Sequence, residues 1–296
     1  MVVTWGSAYG AITNEEQRRG VFELPPRYTS GQTLGIIAVD LDYPKVPGNV
    51  VNATTYDFPV LYEMVSFEIE QLFAGDPAIK QQVIEAAKKL EAEGVRAIIG
   101  ACGYFAHFQK DVAAAVGVPV FMSSLCQLAT IKTWLPCDRK IAVFAADGAS
   151  IDDEFLSNVN TTTDQIVVVN VGDMESFAPI RWGKGPLDNG KLEDDLCALA
   201  KSVCEGDPKI DAILLECSDL PPYAAAIQRT TGLPVFDFIT LAKWVESAVV
   251  QRPYYGALAS LNRLNLCPLL RSTLKEETYL KHLWCMEFIF KFSEFA

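Results

Sequence analysis

The feature that most restricts how this chain can fold is a displaced copy of itself. Moving the sequence by 115 residues lays Ala97-Ile98-Ile99 on Ala212-Ile213-Leu214 and Cys102 on Cys217. It also lays Gly117, Pro119, Val120 and Phe121 on Gly232, Pro234, Val235 and Phe236. Both copies read A-I-[IL]-x-x-C, then fourteen residues, then G-[VL]-P-V-F. A repeat of this kind means one supersecondary unit used twice. Each copy is an apolar run, a turn carrying a cysteine, a helix-length segment and a second apolar run. The fold must therefore contain two similar lobes, each with a cysteine at an equivalent turn.

The rest of the chain fits a strand–helix alternation. "LGIIAVDL" (34–41) reads as a buried strand, and "KIAVFAAD" (140–147) has the same character in the second half. The Pro-, Gly- and Asn-rich stretch 43–60 reads as a long loop. Residues 76–94 read as a helix with Asp76 as N-cap, Pro77 in the first turn and Gly94 at its end. Strands follow at 95–101, 118–124, 165–171, 211–216 and 233–238, and helices at 104–116, 191–204 and 222–231. The strands are apolar on both faces, the mark of parallel sheets covered by helices on each side. The expected class is α/β, two similar lobes with parallel sheets flanked by helices. The expected organisation is an N-terminal extension (1–30), a first lobe (31–137), a second lobe (138–256) whose last helix packs back on the first, and an apolar tail (257–296).

Half of the 296 residues are apolar, ample for a core. The net charge of −12 argues against nucleic acid or an anionic membrane as partner. No stretch has the length of about 18 apolar residues that a membrane span needs, and the start lacks the pattern of a secretory signal. A cytoplasmic protein is expected. The eight cysteines form no CxxC pair, and there are two histidines, so no metal cluster is expected and the thiols are read as reduced.

Position gives Cys102 and Cys217 their interest. Parallel α/β sheets bind ligands beyond the carboxyl ends of their strands, and each cysteine lies there, just before a helix. Ser218 or Asp219 can cap the second helix, and Pro221-Pro222 suit its first turn. Free amides and the helix dipole at such a spot favour negative charge, so a lowered thiol pKa is expected. Two thiols across one cleft suit proton abstraction from a carbon beside a carboxylate, with return of a proton to the opposite face. His107, five residues after Cys102, is poorly placed for a Cys/His dyad. Asn52, Thr54 and Thr55 in the long loop are read as either ligand contacts or turn formers, and Asp237 as a helix cap.

The stretches 34–62, 90–125 and 211–237 resemble the aspartate/glutamate racemase superfamily, over roughly residues 33–256. That resemblance implies two α/β lobes related by a pseudo-twofold axis with the active site between them. It implies a cofactor-independent racemase or epimerase with Cys102 and Cys217 as the acid–base pair and an aspartate- or glutamate-like substrate. Asp40 stands where such racemases carry an acidic residue after the first strand. Ser218 and Asp219 stand where a Thr and then a His often follow the second cysteine. Gly103-Tyr104 replaces the usual Asn-Thr, and Pro47-Gly48-Asn49 the usual Pro-Gly-Asp. Gly103, Ser123, Ser124, Ser218 and Asp219, with Asp40, are the expected substrate contacts. The expected partner is a small carboxylate-bearing molecule, with a homo-oligomer left open. A hydantoin racemase, a maleate-type cis–trans isomerase or a decarboxylase on the same scaffold is the alternative, and beyond these a non-catalytic binding protein.

Overall fold

The computed structural model describes residues 2–4, 18–23, 27–183, 185–251 and 254. The tail read from the sequence, with Cys267, His282 and Cys285, lies outside the described residues. One compact unit spans Met1–Gln251. Among the described residues no helix is long and apolar enough to cross a membrane.

A short parallel pair, β1 (Val2–Thr4) and β2 (Val21–Glu23), precedes two four-stranded parallel sheets. The first sheet contains β3 (Leu34–Val39), β4 (Val60–Val65), β5 (Ala97–Gly100) and β6 (Val120–Phe121), in the order β4-β3-β5-β6. The second contains β7 (Lys140–Ala145), β8 (Ile166–Asn170), β9 (Ile210–Leu215) and β10 (Val235–Phe236), in the order β8-β7-β9-β10. The two orders are the same. So is the register: Ile98 pairs with Val120 in one lobe and Ile213 with Val235 in the other, positions 115 apart in sequence. The duplication therefore covers whole lobes, including β4 and β8, where the sequences do not match. β4 follows the 43–60 loop without an apolar run because it is a half-exposed edge strand, buried only at Val65.

The helices are α1 (Ile69–Phe73), α2 (Lys80–Ala92), α3 (Gln109–Ala115), α4 (Leu128–Trp134), α5 (Asp153–Leu156), α6 (Ala178–Trp182), α7 (Asn189–Gly206), α8 (Ala224–Thr231) and α9 (Phe238–Val249). Asp76 accepts from the amide of Ala78 and starts the turn that leads into α2. Asp237 and Thr240 form a reciprocal capping box at the start of α9.

Alternate residues of β3 and β5 point to opposite faces. Leu34, Ile36, Ala38, Ala97 and Ile99 pack under Phe238, Leu241, Ala242 and Val245 of α9, all buried. Ile37, Val39 and Ile98 face the other way, into the main core with α2. The last helix of the second half thus covers the first sheet. The reverse contact exists too. Trp134 of α4 meets Phe236 of β10 with ring centroids 6.3 Å apart, while Trp244 of α9 meets Phe121 of β6 at 5.8 Å. Gln127, before α4, donates to the carbonyl of Asp237 at 2.9 Å and accepts from Thr240 at 3.2 Å. Each lobe lends a helix to the other, as a pseudo-twofold arrangement requires. Every buried Leu, Ile or Phe in such a helix contributes about 1.5–3 kcal/mol.

Candidate active site

Cys102 and Cys217 each stand two residues beyond the carboxyl end of an interior strand, β5 and β9. Both line one cavity of about 50 Å³, several times the roughly 10–15 Å³ that one water needs. Its wall also carries Tyr43, Lys45, Phe73, Arg181, Glu216, Ser218 and Asp219. Cys217 is buried and Cys102 part-buried, and both are free thiols.

The chain between the strand ends and helices is tighter than the sequence indicated. Residues Gly103–Phe108 form a 3₁₀ segment before α3, and Pro221–Tyr223 form one before α8. The expected cap at Ser218 or Asp219 is absent: Leu220 holds the N-cap position and no side chain caps that turn. The carboxylate of Asp219 turns to the cleft instead. Its Oδ2 accepts from the Cys217 thiol at 3.5 Å. Its Oδ1 accepts from the Tyr43 hydroxyl at 2.8 Å and from the amide of the Asn49 side chain.

Asn49 arrives there because the 43–60 loop docks on the second cysteine turn. Gly48 has φ +102°, and a Cβ on it would stand 2.8 Å from the Pro222 backbone, so only glycine allows the approach. The amide of Val50 donates to the carbonyl of Ser218 at 3.3 Å. Asn52 and Thr55 hold the loop from within: Asn52 accepts from Thr54 and donates to Lys45, and Thr55 bridges Gly48 and Asn49. Asn52, Thr54 and Thr55 do not line the cavity.

The electrostatics correct one expectation. The Tyr104 amide donates to the Cys102 sulfur and the Asp219 amide to the Cys217 sulfur, and each bond favours thiolate. Burial outweighs them. It pushes both thiols above the usual range, with Glu216 adding to the rise at Cys102 and Asp219 at Cys217. Burial also raises Asp219, against the opposing pull of Tyr43, Cys217, Lys45 and Asn49. Glu216, wholly buried, is pushed up to about 8 by burial first and then by Asp147 and Asp219. The resting cleft therefore stores protons rather than free thiolates.

The remaining sequence candidates divide. Ser218 lines the cavity. Gly103 does not line the cavity and packs against the Glu216 side chain. Asp40 is exposed and outside the cavity wall, its amide used by Val65. The chain turns outward at the end of β3 and delivers Leu41 and Tyr43 to the cleft in its place. Ser123 and Ser124 are fully buried and do not line the cavity. Ser123 accepts from the Leu125 amide as an N-cap, and Ser124 donates to the carbonyl of Leu215 at 3.0 Å, tying the lobes together. Tyr104 does the same: its hydroxyl donates to the Asp147 carbonyl at 2.6 Å and accepts from the Asp147 amide. His107 points away, to the carbonyl of Phe73 and the ring of Phe155.

Four polar side chains at the site, Tyr43, Lys45, Arg181 and Glu216, were not singled out from the sequence. Tyr43 and Arg181 sit in irregular or short segments with no periodic signal. Glu216 did leave one: it is a carboxylate ending the apolar run "DAILLEC", where the first copy has Ala101. Arg181 stacks over Phe73 and Trp182, each 4.4 Å from ring centroid to guanidinium. Its Nη1 lies 3.5 Å from Glu70 Oε1, an ion pair without hydrogen-bond alignment, and is otherwise a buried unpaired donor. Among the described residues no group of three His, Cys, Asp or Glu side chains is arranged to hold a metal ion.

A duplicated parallel α/β scaffold with a cysteine at each equivalent turn defines a class, and the comparisons agree with it. The Asp/Glu/hydantoin racemase family model matches residues 68–245, more than half of the chain, and the chain belongs to that family. Among curated proteins it is similar to a dimethylsulfoniopropionate lyase of Durusdinium sp. clade D, 34% identical over 84% of this chain and 85% of the relative. It is also 34% identical to dimethylsulfoniopropionate lyase 3 of Emiliania huxleyi, over 76% of this chain and 61% of that longer protein. Among solved structures, an aspartate racemase homologue from Pyrococcus horikoshii aligns over 73% of this chain and 99% of its own, at 21% identity and a TM-score of 0.49.

Proposed function

We propose that this protein is a lyase that removes a proton beside a carboxylate and expels a sulfonium group from the next carbon, with dimethylsulfoniopropionate as substrate. The observation that carries the reading is the contact of the Cys217 thiol with Asp219 at 3.5 Å, in the same cavity as Cys102 and Arg181. The similarity to the two lyases supports the choice of leaving group.

The chemistry follows from the residues. The thiol of Cys217 passes its proton to Asp219, and the thiolate so formed removes the α-proton of the substrate. The electron pair of that C–H bond becomes the new Cα=Cβ bond as the Cβ–S bond breaks. Dimethyl sulfide and acrylate result, and the proton leaves to solvent through Asp219. A neutral sulfide needs no proton as it departs, so one base suffices. Arg181, whose Nη1 contacts Glu70 but has no hydrogen-bond acceptor, anchors the substrate carboxylate. Asp219 and the apolar wall of Ile69, Phe177 and Ile180 suit a methylated cation.

A second reading is racemisation of a small amino acid by proton relay between Cys102 and Cys217. The equivalent placement of the two cysteines favours it. Headspace chromatography over purified protein and dimethylsulfoniopropionate separates the two. Dimethyl sulfide release that is abolished in Cys217→Ala supports the lyase. Absence of release, together with solvent deuterium entering the α-position of aspartate or glutamate, supports the racemase.

A further inference from the structure

Glu216 is an ionisable side chain of the cleft wall to which the reaction above gives no role. It is wholly buried. One carboxyl oxygen, Oε2, accepts from the Ala146 amide at 3.2 Å, while Oε1 has no partner. Oε1 lies under the first cysteine turn, so close that a Cβ on Gly103 would stand 1.8 Å from it. Glycine at 103 is what lets a carboxyl from the second lobe reach the turn of the first. Arg181 Nη1, 3.5 Å from Glu70 Oε1, is a second buried polar atom in the same wall without a hydrogen-bond partner, and both groups act on the Cys102 sulfur, Arg181 lowering and Glu216 raising its pKa. Two unsatisfied buried groups bordering one small cavity each carry a desolvation cost unless a ligand completes them.

We propose that Glu216 is held as a neutral carboxylic acid whose Oε1 hydroxyl donates a hydrogen bond to the carboxylate of the bound substrate, opposing the charge that collects there as the α-proton leaves. The proposal rests on the α-deprotonation shared by both readings above, not on the leaving group. A substrate carboxylate beside Cys102 accepts from Arg181 Nη1 on one side and from Glu216 on the other. When the α-carbon loses its proton, the carboxylate gains charge, and both bonds strengthen as they do in an oxyanion hole. A carboxylate at 216 would repel that charge, so the proton is essential. The groups that face Glu216 are Asp147 at the end of β7, Tyr104 and Cys102 on the first turn, and Cys217 and Asp219 on the second. Each is neutral or anionic, and together with burial they keep the acid protonated up to a pH of about 8.

The test compares Glu216→Gln, which keeps a donor at this position, with Glu216→Leu, which does not. Circular dichroism and thermal melting first establish that both variants fold. Infrared difference spectra of the full chain between pH 7 and pH 9 are expected to show the carbonyl band of a protonated carboxylic acid, lost in Glu216→Gln. In turnover, or in α-proton exchange, Leu is expected to lower kcat by roughly 10²–10³-fold and Gln by no more than about tenfold. The alkaline limb near pH 8 is expected in the native chain and absent in Gln. Binding of propionate, a probe that needs no turnover, is expected to weaken about tenfold in Leu and to weaken in the native chain as pH rises past 8. A native chain without the infrared band at pH 7, or folded Gln and Leu variants that bind propionate like the native chain, overturns the proposal. A native chain that shows the band and binds propionate but turns over neither substrate class overturns the reading of the reaction and leaves the acid at 216 standing.

Discussion

The two cysteine turns are equivalent in backbone and unlike in chemistry. The first reads Ala101-Cys102-Gly103-Tyr104, with no carboxyl and with its one polar side chain tied to the opposite lobe. The second reads Glu216-Cys217-Ser218-Asp219, with a carboxyl on each side of the sulfur. The difference is complementary, because Glu216 fits only against a glycine at 103. Duplication supplied a symmetrical frame, and divergence placed the proton-holding groups on one wall and the space for them on the other. The Cys217 thiol therefore has an acceptor within hydrogen-bond reach, while the Cys102 sulfur has only the amide of Tyr104.

The largest expected effect breaks the symmetry directly. Replacing Cys217 by Ala is expected to lower kcat by roughly 10³-fold or more, the scale of a lost general base. Cys102→Ala is expected to cost at least tenfold less than that. Equal losses in a steady-state assay would mean that both thiols carry protons and would favour racemisation. Next in size is the exchange of helices. Leu241→Ala in α9 and Ile131→Ala in α4 are each expected to cost about 2–5 kcal/mol, since both side chains are fully buried. Because each helix covers the other lobe's sheet, either variant is expected to unfold in one transition by fluorescence and circular dichroism. Two separated transitions would show lobes that fold independently.

Charge gives a smaller, pH-resolved effect. The native pKa of Glu216 lies above its unfolded value, so its proton-linked contribution to stability is full below about 4.5 and lost as pH rises toward about 8. Urea unfolding of the native chain is expected to weaken relative to Glu216→Gln by up to about 1.4 kcal/mol per pH unit across that window. Parallel curves would mean that Glu216 ionises in the folded state as it does in water. Smallest is Tyr43→Phe, which removes one donor to Asp219. That bond lowers the Asp219 pKa, so its loss is expected to move the acid limb of the rate profile to higher pH and to lower kcat about tenfold.

Much of this was legible in the residues, and the parts that were not have physical reasons. The strands of the repeat could be read because buried parallel strands are continuous apolar runs. β4 could not, since an edge strand half open to solvent has no such run. The cysteines were legible by their register. Ser123 and Ser124 looked like ligand contacts because a hydroxyl at a strand end serves a ligand and a backbone carbonyl equally well, and only packing decided for the latter. Asp40 lies outside the cavity wall for a similar reason: a residue one position past β3 faces solvent or cleft according to the next turn of the chain.

By itself the sequence determined the duplicated parallel α/β frame and the placing of one cysteine past an interior strand in each half. Those follow from periodicity and local propensity, which a linear chain carries openly. The tertiary structure decided which groups surround each sulfur. Tyr43 and Asn49 come from one loop, Arg181 and Asp219 from segments far from it, and the protonation of Tyr43 and Asp219 depends on burial, which is a property of the closed cleft and of no residue alone.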